Sequence, residues 1–156
     1  MVDRSFASAG VPVTKEPTGL FRTDGKRPDG VTLVPWQSGK SLCWDVTITC
    51  QLAESYIDRA APEAGAAAEM AATRKEEKYV YLGARYIFEP IAVETLGVFN
   101  FNTSARHLLD DLGRRISENT GEARETSFLY QRISILVQRF YAVLLHDSLP
   151  ATDCTE

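Results

Sequence analysis

No stretch of this chain stays apolar for the roughly 18 residues that a membrane span requires. The longest candidate, residues 140–145, belongs to an amphipathic pattern. Residues 1–10 lack the apolar segment of a signal peptide. Cysteine is scarce: Cys43, Cys50 and Cys154 are an odd number without the spacing of a zinc site. They are expected to be reduced thiols in an intracellular protein. Histidine is scarcer still. His107 and His146 lie far in sequence from the acids singled out below, and they are expected on the surface rather than as a general base. An excess of positive charge is also missing. Seventeen Lys and Arg against 21 Asp and Glu give a net charge of −4, which argues against strong DNA binding by the chain as a whole and leaves room for a local basic patch. There is no P-loop, zinc finger, Ser-His-Asp order or internal repeat. Asn102-Thr103-Ser104 has the form of a glycosylation sequon and is expected to go unused.

What is present reads as one globular domain over residues 1–156. Hydrophobic residues make up 44% and charged residues 24%, so disorder of the whole chain is excluded. Composition shifts along the chain. Residues 11–50 are rich in Gly, Pro, Thr and Val, 60–82 in Ala, Glu and Lys, and 104–146 in Leu, Arg and Ile. Residues 1–9 read as a helical stub ended by Gly10 and Pro12. Strands are expected at 19–23, 30–36 and 42–49, separated by the turn signals Asp24-Gly25 and Ser38-Gly39. The third is the clearest: Leu42, Trp44, Val46 and Ile48 fall on one face, and Cys43, Asp45, Thr47 and Thr49 on the other. A helix over 65–82, a strand over 87–95 and helices over 104–116 and 122–145 complete a β-β-β-α-β-α-α order. Pro90 marks its strand as an edge or a bulge. Leu129, Ile133, Leu136, Phe140 and Val143 form an amphipathic stripe on the last helix. The fold class is an α/β mixture with an antiparallel start.

The polar residues of the meander carry the chemistry. Lys26-Arg27-Pro28-Asp29 opens the second strand, and Asp45 lies in the third after a spacer of fifteen residues, 30–44. Neighbouring strands lie about 4.8 Å apart, so a hairpin can bring both carboxylates to one hard cation. Magnesium accepts few protein carboxylates and retains waters. An Asp after Pro is also ordinary turn chemistry, and a mid-strand Asp can simply be solvated. Asp is depleted from strands, however, so Asp45 between Trp44 and Val46 stands out. On the next helix, Lys75 and Lys78 belong either to an exposed charged face or to the same site.

Taken in order, Arg27-Pro28-Asp29, Asp45-Val46-Thr47, Lys75 and Lys78-Tyr79 resemble the PD-(D/E)XK nuclease superfamily. More narrowly, they resemble the restriction-enzyme-like endonuclease domain of non-LTR retrotransposons. The phrases KEPTGLFRTDGKRPDGVTLVPW, LCWDVT, RKEEKY and VETLG are similar to segments of reverse-transcriptase-related proteins, and the likeness covers roughly residues 5–145. The resemblance implies a restriction-endonuclease-like mixed sheet of about four strands flanked by helices. It implies hydrolysis of DNA with Mg²⁺, or Mn²⁺ as substitute, and a reverse transcriptase domain in the parent protein. It implies a nuclear location if the target is chromosomal. Asp29 and Asp45 would hold the metal. Lys78, with Lys75 as the alternative, would be a catalytic lysine moved onto the helix. Lys26, Arg27 and Lys75 would contact nucleic acid.

Two departures accompany the likeness. Thr47 stands where the superfamily usually has its lysine, and the first helix is shortened to residues 1–9, with Glu16 as a substitute for its acid. The alternatives are a catalytically inactive remnant that binds nucleic acid or protein, and an interaction domain that forms a homodimer through the helix at 129–144.

Overall fold

The computed structural model describes residues 2–17, 27–49, 65–94 and 101–148. Among the described residues, four helices are α1 (Val2–Ser8), α2 (Ala66–Lys78), α3 (Thr103–Thr120) and α4 (Glu125–Ser148). The described strands are β1 (Val13–Lys15), β2 (Gly30–Thr32), β3 (Ser41–Thr49) and β4 (Tyr86–Glu94). They form one mixed sheet in the order β1-β2-β3-β4. The first two pairings are antiparallel and the last is parallel. A parallel pair needs a crossover, and α2 lies between β3 and β4 in the chain.

The alternation of β3 divides the molecule into layers. Leu42 and Trp44 join Ile91, Val93, Leu109, Leu112 and Ile133 in the main core, which α1, α3 and α4 cover. Phe6 of α1 is fully buried there, with its ring stacked 4.7 Å from that of Trp44. The opposite face carries Cys43 and Asp45 toward α2. That helix presents Ala68, Ala71 and Ala72 to Ala92 of β4. Small residues let a helix approach a sheet closely, which brings longer side chains further along the same face over the strands.

Two acids tie down the N-terminal end of α2. Glu94, at the end of β4, is fully buried and accepts the backbone N–H groups of Gly65, Ala67 and Ala68. A carboxylate there satisfies unpaired donors and complements the positive end of the helix. Glu69 in turn accepts the N–H of Thr103, the first residue of α3, at 2.5 Å.

β4 is an edge strand, as Pro90 suggests. The Pro90 carbonyl points outward and accepts from Asn102 Nδ2 at 2.9 Å, so the missing N–H falls on the side where, among the described residues, no strand pairs with β4. Asn102 Oδ1 accepts the Ala92 N–H at 2.8 Å. The amide of the sequon is therefore buried and occupied by the sheet edge.

Several boundaries differ from the sequence reading. The expected strand at 19–23 lies outside the described residues. The strand expected over 30–36 ends at Thr32. There the Thr32 hydroxyl donates to the Val34 carbonyl and accepts the Leu42 N–H, replacing the ladder. The three-residue β1 is too short for alternation to announce it. α2 stops at Lys78 and tightens into a 3-10 turn over Val80–Leu82. On α4 the buried stripe is Leu129, Ile133 and Val137, whereas Leu136, Phe140 and Val143 are exposed. Among the described residues, no helix is long and apolar enough to cross a membrane.

Candidate active site

Asp29 is fixed by its neighbours on both sides. Pro28 is fully buried. The Asp29 N–H donates to the Trp44 carbonyl at 3.0 Å. Its carboxylate Oδ2 accepts the Val46 N–H at 2.7 Å. The residue thus grips β3 on either side of Asp45. The Gly30↔Trp44 pairing, continued by one step, sets Asp29 opposite Asp45. Gly30 is required for this approach, because a Cβ there would stand 2.1 Å from the Trp44 ring.

Asp45 is 4% exposed. Its Oδ2 lies 2.6 Å from Lys75 Nζ. Burial pushes the Asp45 carboxyl up to about 6. Lys75 opposes that rise, while the charge of Asp29 and a hydrogen bond between the two carboxyls add to it. The thiol of Cys43 is raised to about 12, first by burial and then by the charges of Asp45 and Asp29. Cys43 is therefore no nucleophile at neutral pH. It reports that the two aspartates share one neighbourhood.

The lysine at the acids is Lys75. The buried face of α2 runs Ala68, Ala71, Ala72, Lys75, Tyr79, and Tyr79 is 2% exposed. Both lysines are half-buried, and the 2.6 Å contact with Asp45 belongs to Lys75. Lys78 Nζ stands 5.7 Å from the centroid of the Tyr79 ring. The sequence reading put Lys78 first and Lys75 as the alternative, and it is Lys75 that the structure sets against Asp45.

Other expected residues fall around this pair. Arg27 is exposed and pairs with Glu16 at 3.4 Å. Lys26 lies outside the described residues, as do Cys50 and Cys154. His107 is exposed on α3. Asp3 of α1 went unmarked in the sequence. With Lys15, Glu16 and Asp29 it lines a cleft of about 330 Å³, and it pairs with Lys15 at 3.1 Å. An acid in the first turn of a short helix carries no sequence signal that separates it from ordinary helix-end chemistry.

Asp29 and Asp45 are the carboxylates the site offers a hard cation. Asp45 Oδ2, despite its close lysine, and Thr47 Oγ1 are buried without a properly angled hydrogen bond among the described residues. Both belong to the β3 face that carries Asp45. Among the described residues, no group of three or more His, Cys, Asp or Glu could hold a metal ion. No protein-family model matches the chain, and no curated protein matches it.

Proposed function

We propose that this domain is a metal-dependent DNA endonuclease of the PD-(D/E)XK type, with Asp29, Asp45 and Lys75 as its working residues. The observation that carries the reading is the opposition of Asp29 and Asp45 across β2 and β3, with Lys75 at the buried carboxylate. A four-stranded mixed sheet with helices on both faces is consistent with it.

Asp29 and Asp45 would hold Mg²⁺, which when bound supplies a polarised water and charge stabilisation at a scissile phosphate. Lys75 would then turn its ammonium toward the developing charge on the phosphate oxygens. Thr47 cannot supply that cation, so the helix does so instead. Asp29 is positioned by β3 backbone, and Asp45 and Lys75 by rigid elements, which keeps the constellation in register.

The test is a labelled DNA duplex incubated with the chain and Mg²⁺. The expected result is cleavage by wild type that EDTA abolishes and that Asp45→Ala lacks. Intact DNA in every condition would move the nuclease-fold remnant, as a binding module without turnover, ahead of this reading.

A further inference from the structure

We propose that the groove between α1 and α4 binds the phosphate backbone of DNA. It is a cleft of about 580 Å³ lined by the cations Arg4, Lys15, Arg132 and Arg139, with no carboxylate in its lining. This is an unusual concentration in a chain of net charge −4. The proposal rests on the nuclease reading for its ligand class, and binding can be measured apart from cutting.

Four arginines outside the groove are held by acids, and among the described residues those lining it are not. Arg114 is held by Asp111 and Glu118, Arg115 by Asp111, Arg124 by Glu122 and Arg27 by Glu16. Arg4, Arg132 and Arg139 have no carboxylate partner among the described residues. The sequence explains this on α4, where residues 126–146 contain no Asp or Glu. No acid is therefore available at the three- or four-residue spacings that pair helix side chains. Lys15 is tied to Asp3, which stands on its other side in the neighbouring cleft.

Spacing and continuity favour an extended polyanion. Arg132 and Arg139 are two helical turns apart, about 10.5 Å along the axis. That spans about three phosphate steps of one strand at 3.4 Å each. Lys15 lines both this groove and the cleft that contains Asp29. A strand with one phosphate at the aspartates would thus continue past Lys15 to the arginines. The half-exposed Ile135 and the exposed Leu136 form the apolar wall. Sugar edges can pack against such a wall, whereas an anionic lipid surface would not need a cleft joined to the acids.

The experiment is fluorescence anisotropy of a labelled DNA duplex titrated with the full chain in EDTA, over a range of salt concentrations. Wild type binds, and its affinity falls with salt. Arg132→Ala/Arg139→Ala weakens binding by about tenfold or more and lowers the log–log salt slope by about 0.9 for each lost phosphate contact. Arg124→Ala, which removes a paired surface arginine, binds as wild type. Arg132→Lys/Arg139→Lys retains most of the affinity. Equal binding by the double alanine variant and wild type overturns the proposal. So does binding to phosphatidylserine vesicles without binding to DNA. DNA binding with this mutational pattern but no cleavage in Mg²⁺ leaves the groove standing and ends the nuclease reading. Cleavage that persists unchanged in the double alanine variant does the reverse.

Discussion

Lys75 Nζ rests 2.6 Å from Asp45 Oδ2, and that contact ties α2 to the strand carrying the buried acid. The alanine face of α2 sets it: Ala68, Ala71 and Ala72 lie against the sheet, and Lys75 is next along the same stripe. Lys75→Ala is expected to slow DNA cleavage by about 10²–10³-fold, the range for losing one positioned charge-stabilising donor. Lys78→Ala is expected to cleave close to the wild-type rate. Single-turnover rates of the two variants decide between the lysines, and a slower Lys78→Ala would return the role to Lys78.

The raised Asp45 carboxyl makes stability depend on pH. It titrates near 6 in the folded chain against an ordinary 3.8, so between those values the folded state binds the extra proton. Its contribution is fully present below about 3.8 and is lost as pH rises through about 6. The loss is on the order of 3 kcal/mol. Asp45→Asn removes this dependence. Urea midpoints across that window should fall for wild type relative to the variant as pH rises, and parallel curves would contradict the assignment. Cation binding needs the ionised carboxylate, so Mg²⁺-dependent activity should rise through the same window.

Glu94 is expected to matter for the fold and, through α2, for the site. Glu94→Ala leaves the N–H groups of Gly65, Ala67 and Ala68 without their buried acceptor. A loss of about 2–4 kcal/mol follows. Glu94→Gln keeps an acceptor oxygen without the charge and should lose less. Chemical denaturation ranks the two, and equal losses would show that burial of the side chain, rather than capping, is what counts.

α3 and α4 touch where Gly113 leaves space. A Cβ there would stand 2.3 Å from Thr126 Oγ1 and 2.7 Å from Thr126 Cα. Backbone cannot give way as a flexible side chain can. Gly113→Ala should destabilise by about 1–3 kcal/mol, although alanine is the better helix former. A thermal melt equal to or above wild type would show that the helices separate without cost.

The parts of the fold legible in the sequence were those with local periodicity. The alternation of β3 assigned Leu42 and Trp44 to one face and Cys43 and Asp45 to the other, and both sets of neighbours agree. The helical stretches were recognisable from alanine content and leucine spacing. Edge strand β4 was marked by Pro90. What was hidden depends on contacts distant in the chain. Glu94 acts on residues more than 25 positions earlier, and Asn102 completes a sheet edge, although its own neighbourhood reads as a sequon. The stripe Ala68, Ala71, Ala72, Lys75, Tyr79 includes Lys75, but the contact with Asp45 is what marks it out from Lys78. Without the sheet, either lysine can be drawn toward Asp45. The far half of the α4 stripe misled for the same reason. Periodicity gives a face, and only the length of the partner surface says how much of that face is covered.

The most direct test of the site is nicking of supercoiled plasmid by wild type, Asp29→Ala, Asp45→Ala and Lys75→Ala, purified in parallel and assayed with Mg²⁺ or Mn²⁺. The account predicts nicking by wild type that EDTA stops, none by either aspartate variant with the fold retained, and a much reduced rate for Lys75→Ala. Equal nicking by wild type and Asp45→Ala, or no nicking by wild type with either metal, would contradict it.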